Sequence, residues 1–392
     1  MTQRADGPST TSGATCALCQ RRSPLIAASL GVCADCIRCR TDDALPRVLD
    51  AHARARSPFH LPAQPPRHPA GIPCTLCAND CVIGVGETGF CGLRENVDGH
   101  LHSLATPHIA LLYAYPDPHV TNCCAAWCCP AGTGVGYPTY AHRPGPEIGF
   151  SNLAVFFYGC NFHCLFCQNA SHKELSPHHR TTLTAFTATV QEAHPVSCIC
   201  YFGGSPEPQL PFALNASRRL READPRRLLR FCFEWNGGGH PRLVRRAAEL
   251  AYESGGNLKF DLKCWTPALS LALSGVSNAR SYANFPLVAD EFGAARRDVP
   301  LLAATTLLVP GYVDAAEVAA IAQFIAAITP DLPYSLLLFH PAYQMQDLPV
   351  TPYDQVVRCY QAAKRHLHHV HVGNLNLLDA GAKNAFQRHP NA

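Results

Sequence analysis

Long apolar runs are missing from this chain. None of its 392 residues falls in an uninterrupted apolar stretch of about 20, the length a membrane-crossing helix needs, so no transmembrane span and no membrane partner are expected. The first residues, from Met1 to Gly13, are small and polar without an apolar h-region, so no secretory signal is expected either. Charge is also sparse. Charged residues make up 16% of the chain and the net charge is +3, so nothing calls for nucleic acid or an anionic surface as a partner. The arginines between 218 and 230 are interrupted by Glu222 and Asp224 and read as a solvated helix face and loop.

Cysteine is what the chain has in excess, with 21 residues, beside 33 prolines. The 47% hydrophobic content predicts a globular protein with a sizeable core. Its length allows one large domain with appendages, or two to three domains. With no secretory signal, the cysteines are expected in a reducing cytoplasm, where such a count reads as metal and cluster ligation rather than disulfides.

The chain divides by composition. Residues 1–45 hold a polar start, expected to be disordered through residue 14, and two knuckles, Cys16-x2-Cys19 and Cys33-x2-Cys36, with thirteen residues between them. That spacing fits a zinc ribbon, since a stretch this short cannot fold on apolar burial alone. Residues 46–73 read as a proline-rich linker, with helix possible over Val48–Arg56. Residues 74–149 form a cysteine-rich extension and lid. Cys74, Cys77, Cys81 and Cys91 come first, and zinc and an auxiliary [4Fe–4S] cluster fit them equally, because both use four thiolates. Cys123, Cys124, Cys128 and Cys129 follow in a stretch, 107–148, expected to be a lid or substrate-side insert. Neighbouring side chains diverge, so one member of each adjacent pair is expected to face a metal.

Residues 150–385 alternate apolar runs (153–158, 196–202, 228–234, 257–262, 301–309, 334–339 and 368–372) with amphipathic stretches such as 241–254, 314–328 and 353–366. Strand–helix alternation of this length predicts an α/β fold, a parallel barrel. At the end of its first strand stands Tyr158-Gly-Cys-Asn-Phe-His-Cys-Leu-Phe-Cys-Gln-Asn169. Cys160, Cys164 and Cys167 are three thiolates without a nearby fourth. They can hold three corners of a [4Fe–4S] cube and leave one iron open.

This run resembles the cluster loop of the radical S-adenosylmethionine (SAM) superfamily, and more narrowly that of the pyruvate formate-lyase activating enzymes. The resemblance extends over residues 74–378. It implies a partial (β/α)6 TIM-like barrel whose open iron binds SAM, and an electron that cleaves SAM to a 5′-deoxyadenosyl radical. It implies that Gly203, Gly204 and Glu207 lie along the methionine end of SAM, that Glu234 and Asn236 approach its ribose, and that Lys263, oriented by Asp261, meets its carboxylate. Similar proteins also carry cysteine at the positions of Cys123 and Cys129.

His340 and Asn374 end later strands and are candidates for the substrate pocket. Cys264 directly follows the Asp-Leu-Lys strand end and is a candidate hydrogen-atom donor, whereas Cys198, Cys200, Cys232 and Cys359 read as buried small hydrophobes. The expected activity is hydrogen abstraction from a small molecule, a sugar or natural product. The competing readings are an activase that makes a glycyl radical on a partner protein and a zinc-binding scaffold without catalysis. An electron donor such as flavodoxin or ferredoxin is the expected partner.

Overall fold

The computed structural model describes residues 13–121, 123–192, 195–293, 296 and 298–388. The disorder expected for residues 1–12 lies outside that set, and Ala14 already pairs with Ser23 in a short hairpin. All seven apolar runs become strands of one nine-stranded sheet. In chain order its strands are β1 (Ile109–Pro118), β2 (Ser151–Phe157), β3 (Arg180–Thr182), β4 (Val196–Gly203), β5 (Arg230–Trp235), β6 (Leu258–Asp261), β7 (Leu302–Leu308), β8 (Tyr334–Leu338) and β9 (Val370–Gly373). Their spatial order is β9-β8-β7-β6-β5-β4-β2-β1-β3. Strands β2 and β4 to β9 are parallel, while β1 runs antiparallel to both β2 and β3 at one edge. Among the described residues no ladder joins β9 to β3, so the barrel is open as expected, with a seventh parallel strand beyond the six the resemblance implies.

The helices that cover the sheet follow from spacing. Pro241–Ser254 buries Val244, Ala247, Ala248 and Ala251, an i, i+3, i+4, i+7 stripe that faces the sheet. Ala315–Ala326 starts where Asp314 accepts hydrogen bonds from the Ala316 and Glu317 amides, which meets two of the orphan donors of a helix start.

The expected linker boundary at residue 46 falls inside a helix, α1 (Thr41–Arg56), which buries Ala44, Val48, Ala51, His52 and Ala55 on one face. The cysteine ribbon before it is also fastened to the barrel. Tyr312 donates its hydroxyl proton to the Val32 carbonyl at 2.9 Å and accepts from the Ala27 amide at 3.0 Å, and Arg38 reaches Asp314 at 2.9 Å.

The insert lies elsewhere than expected. Strand β1 runs antiparallel to β2, pairing Leu112 with Phe157 and Pro118 with Ser151. It therefore carries the chain from the mouth of the barrel to the opposite end before the cysteine-rich stretch begins. That stretch then passes under the strand starts, as a floor plug instead of a lid. Trp127 donates to Ser335 at 2.9 Å, Ser335 donates to the Cys124 carbonyl at 2.7 Å, and Arg230 reaches the Tyr140 carbonyl at 2.8 Å.

Candidate active site

A cavity of about 200 Å³ opens at the C-terminal ends of the strands, the end where α/β sites are built. Cys160, Cys164 and Cys167 line it together with Gly203, Gly204, Glu234, Asn236, Asp261, Lys263 and Asn374. His340 is exposed and does not line it.

The loop of the three cysteines leaves β2 through Gly159, whose φ of 82° is open to glycine at no steric cost. It is then clamped from several sides. The His163 and Leu165 amides donate to the Ser274 and Leu273 carbonyls at 2.8 and 2.9 Å, and the Gly159 amide donates to the His172 carbonyl at 2.7 Å. Asn236 donates to the Asn161 side chain at 2.7 Å and receives a hydrogen bond back at 3.1 Å.

The sulfur spacing distinguishes the cysteine groups. Among the described residues two groups bring three or more His, Cys, Asp or Glu ligand atoms within 4.8 Å of one another: Cys16, Cys19, Cys33 and Cys36, and Cys123, Cys124 and Glu234. Four sulfurs at 2.3 Å from one zinc lie about 3.8 Å apart. The ribbon has that compactness; the Cys160, Cys164 and Cys167 set lacks it. A four-iron cube puts iron and sulfide between its thiolates, so a wider set fits it. The cube's negative charge also has an acceptor. Lys173 is 2% exposed, and among the described residues no carboxylate lies within ion-pair distance of it. Burial pulls its ammonium down, and the fields of Cys167, Cys160 and Cys164 push it back up. Beside it the buried His172 Nδ1 has no partner.

On the SAM side, Asp261 and Lys263 pair at 2.8 Å on the cavity wall. Burial alone would lower the Lys263 ammonium, yet Asp261 and the thiols of Cys164 and Cys160 hold it above the ordinary lysine value. The glycines Gly203 and Gly204 do line the cavity, but the chain itself excludes a side chain there. A Cβ on Gly204 would stand 2.4 Å from the Gly159 carbonyl oxygen, so the two loops touch through missing side chains.

Two expected site residues, and the expected divergence of adjacent cysteines, are corrected by the geometry. Glu207 is fully buried and off the cavity wall. It bonds the Ser205 hydroxyl and accepts from the Gly237 amide at 2.8 Å, tying the end of β4 to the end of β5. Burial pushes its carboxyl up to about 7. Cys264 is also fully buried and absent from the wall, its Sγ 3.9 Å from the Thr266 carbonyl. Adjacent cysteines were expected to diverge, but Cys123 and Cys124 sit at a turn and converge, with Glu234, on one spot. Cys128 instead donates to the Ala125 carbonyl at 3.4 Å.

Lys259 is the residue that motif reasoning missed. Its Nζ lies 2.9 Å from Cys123 Sγ, 3.2 Å from Cys200 Sγ and 3.3 Å from Glu234 Oε2, with the side chain 2% exposed. The ammonium supplies the positive charge that the thiol and carboxylate cluster needs, and it would repel a metal ion there. Period-two spacing before Asp261 and Lys263 is the signal that places it inside the barrel.

Residues 154–270 match the model of the Radical SAM superfamily. An activating enzyme, the isethionate sulfite-lyase activating enzyme of Desulfovibrio desulfuricans, is 37% identical over 140 residues, 35% of this chain and 40% of that protein. An uncharacterised protein of Methanocaldococcus jannaschii is 27% identical over 106 residues, 27% of this chain and 26% of the relative. The chain thus spans less than half the length of either curated relative it matches. The crystal structure of Streptococcus suis SuiB bound to S-adenosylmethionine superposes with a TM-score of 0.40 and 14% identity, over 56% of this chain and 49% of that one. The cofactors of the matched superfamily are a [4Fe–4S] cluster and SAM, and the wide cysteine triplet, the buried lysine and the Asp261–Lys263 pair are a donor set that fits both. Residues 154–270 thus carry a radical SAM domain.

Proposed function

We propose that this protein cleaves SAM reductively and uses the resulting radical to take a hydrogen atom from a small molecule. The observation that carries the reading is the meeting of Cys160, Cys164 and Cys167 with Asp261 and Lys263 on the wall of one cavity. When bound, a [4Fe–4S] cluster supplies the electron that splits SAM into methionine and a 5′-deoxyadenosyl radical. The chain's own residues bind and orient. The three thiolates grip the cube, Lys173 offsets its charge, and Lys263, aimed by Asp261, meets the SAM carboxylate. Phe202, Leu307 and Leu337 give the cavity apolar walls, and Thr305 and Asn374 add polar ones. The plugged floor leaves the mouth as the way in.

The second reading is an activase that sets a glycyl radical on a partner protein, favoured by the 37% identity to an activating enzyme. Under either reading the ribbon Cys16, Cys19, Cys33 and Cys36 holds structural zinc, the reductant is a flavodoxin or ferredoxin, and the protein works in a reducing cytoplasm.

Anaerobically reconstituted protein is expected to show the broad visible absorption of an iron–sulfur cluster and to release 5′-deoxyadenosine from SAM. The Cys160→Ala variant should release none. A wild type that binds no cluster and leaves SAM intact returns the protein to the scaffold reading. A small metabolite that speeds 5′-deoxyadenosine release and changes mass supports the first substrate reading. A doublet in electron paramagnetic resonance on a protein partner overturns it in favour of the activase.

A further inference from the structure

Cys74, Cys77, Cys81 and Cys91 form a group with a different character from the ribbon. The chain closes on itself there, as the Cys74 amide donates to the Cys81 carbonyl at 2.7 Å. Cys74, Cys77 and Cys81 are each within the electrostatic reach of Cys91, so the four thiols share one patch. Yet no three of them come within the 4.8 Å that the ribbon sulfurs satisfy. In this respect they match the Cys160, Cys164 and Cys167 set, and a single zinc ion needs closer sulfurs.

Charge gives an independent indication. Arg56 and Arg94 are 2% and 7% exposed, and among the described residues neither has a carboxylate within ion-pair distance. Arg56 gives its hydrogen bonds to the carbonyls of Pro62 and Phe90, and Arg94 to the Pro208 carbonyl. Carbonyls satisfy the donors and leave the charges uncompensated, which is costly in a buried site. The remaining contact of Arg94 is Cys91 Sγ at 3.9 Å, and the thiols nearest in field to Arg56 are Cys91, Cys160 and Cys81. Two buried guanidiniums beside four cysteines call for an anionic centre among those cysteines.

The patch also abuts the first cluster loop. Asn79 donates to the Asn161 carbonyl at 2.7 Å, the Ala78 amide donates to the Gly238 carbonyl at 2.7 Å, and a Cβ on Gly159 would stand 3.1 Å from the Cys91 carbonyl. Arg56 feels cysteines of both sets. Cys160 and Cys164 are buried, whereas Cys74 and Cys91 are partly exposed.

We propose that Cys74, Cys77, Cys81 and Cys91 ligate a second iron–sulfur cluster, which takes one electron from an external one-electron reductant protein at the Cys74 face and passes it to the first cluster. The proposal rests on the reading that Cys160, Cys164 and Cys167 hold the first. One electron enters per SAM cleaved, the second cluster being reduced by the donor and reoxidised by the first.

The test begins with the Cys160→Ala, Cys164→Ala, Cys167→Ala protein, reconstituted without air. It is expected to keep one cluster's worth of iron and sulfide and to show a cluster signal in electron paramagnetic resonance after dithionite reduction, with zinc only at the ribbon. A protein that has lost all iron, whether or not it gains a second zinc, overturns the proposal. This measurement leaves the Cys74 set untouched, so a folding defect there cannot obscure it. It also reads the second cluster when the first is gone, and so separates failure of this proposal from failure of SAM cleavage. With Cys74 and Cys91 both changed to Ser, the flavodoxin-driven release of 5′-deoxyadenosine should drop to a small fraction while the dithionite-driven release persists. Equal loss with both reductants would reject the relay.

Discussion

The two ends of the barrel treat charge in opposite ways. At the floor two buried cations, Arg230 and Lys259, are each met by a carboxylate of the protein itself. Arg230 bonds Glu147 through two nitrogens, at 2.8 and 2.5 Å, and also the Ser197 hydroxyl and the Tyr140 carbonyl. Lys259 is shared among Cys123, Cys200 and Glu234. At the mouth, the Asp261–Lys263 pair and His172, whose Nδ1 is unpartnered, line the cavity, and behind His172 the buried Lys173 ammonium has no carboxylate within ion-pair distance among the described residues. Burying a charge that nothing meets costs several kcal/mol, so the uncompensated end is the one built for an incoming ligand. Glu234 marks the border. It lines the cavity, but Cys124 donates to one of its oxygens at 3.6 Å and Lys259 holds the other.

The sharpest way to break this contrast is to take a charge out of the floor. Lys259→Met leaves the half-buried Glu234 and Cys123 without their cation. Removing one partner of a buried ion pair costs about 3–5 kcal/mol, so urea unfolding should show a loss near the bottom of that range, since Glu234 is 29% exposed and water meets part of its charge. Unchanged stability would mean that the floor charges are dispensable and that the contrast between the ends is false.

Glu147→Gln should have the next largest effect, and pH identifies its source. Burial raises the Glu147 carboxyl, but Arg230 overrides this and holds it down at about 2, from an ordinary 4.5. A lowered carboxyl stabilises the fold above its unfolded value and loses that contribution as pH falls through the folded one. That lowering corresponds to about 3 kcal/mol. Wild type should therefore exceed the variant by about that amount at pH 7, with the gap closing between pH 4.5 and 2. A gap that stays constant with pH would assign the loss to packing rather than to the ion pair.

Much of this could be read from the sequence, and the gaps have physical causes. The seven apolar runs marked the seven parallel strands because strands buried on both faces are apolar throughout. The cysteine triplet marked a loop on the cavity wall because its spacing is local. What spacing cannot convey is direction across the fold. Glu207, three residues past Gly204, has the composition of a ligand contact, yet its side chain turns into the joint between β4 and β5. Lys259 stands second in β6, near a strand start, where lysine usually means solvent, and the plug beneath it makes the position interior. The plug was mistaken for a lid because nothing local shows that β1 runs downward. Helix α1 was expected only over Val48–Arg56, because Pro46, which lies inside it, marked its first turns as linker.

The finest probe of the border between mouth and core is Cys264. It follows Lys263 directly, so a small rotation of the chain would turn its thiol into the cavity. The structure instead buries it completely, beside the Thr266 carbonyl, with its own carbonyl receiving the Asn278 amide at 2.9 Å and the Tyr282 hydroxyl at 2.9 Å. Those two bonds fix the backbone on which the side chain is carried. Cys264→Ala removes one heavy atom from a packed site, a change worth about 1 kcal/mol, and should leave 5′-deoxyadenosine release and product yield intact. A variant that still cleaves SAM but makes no product would show that the thiol reaches the substrate, and the line drawn here between cavity wall and core would have to be moved past it.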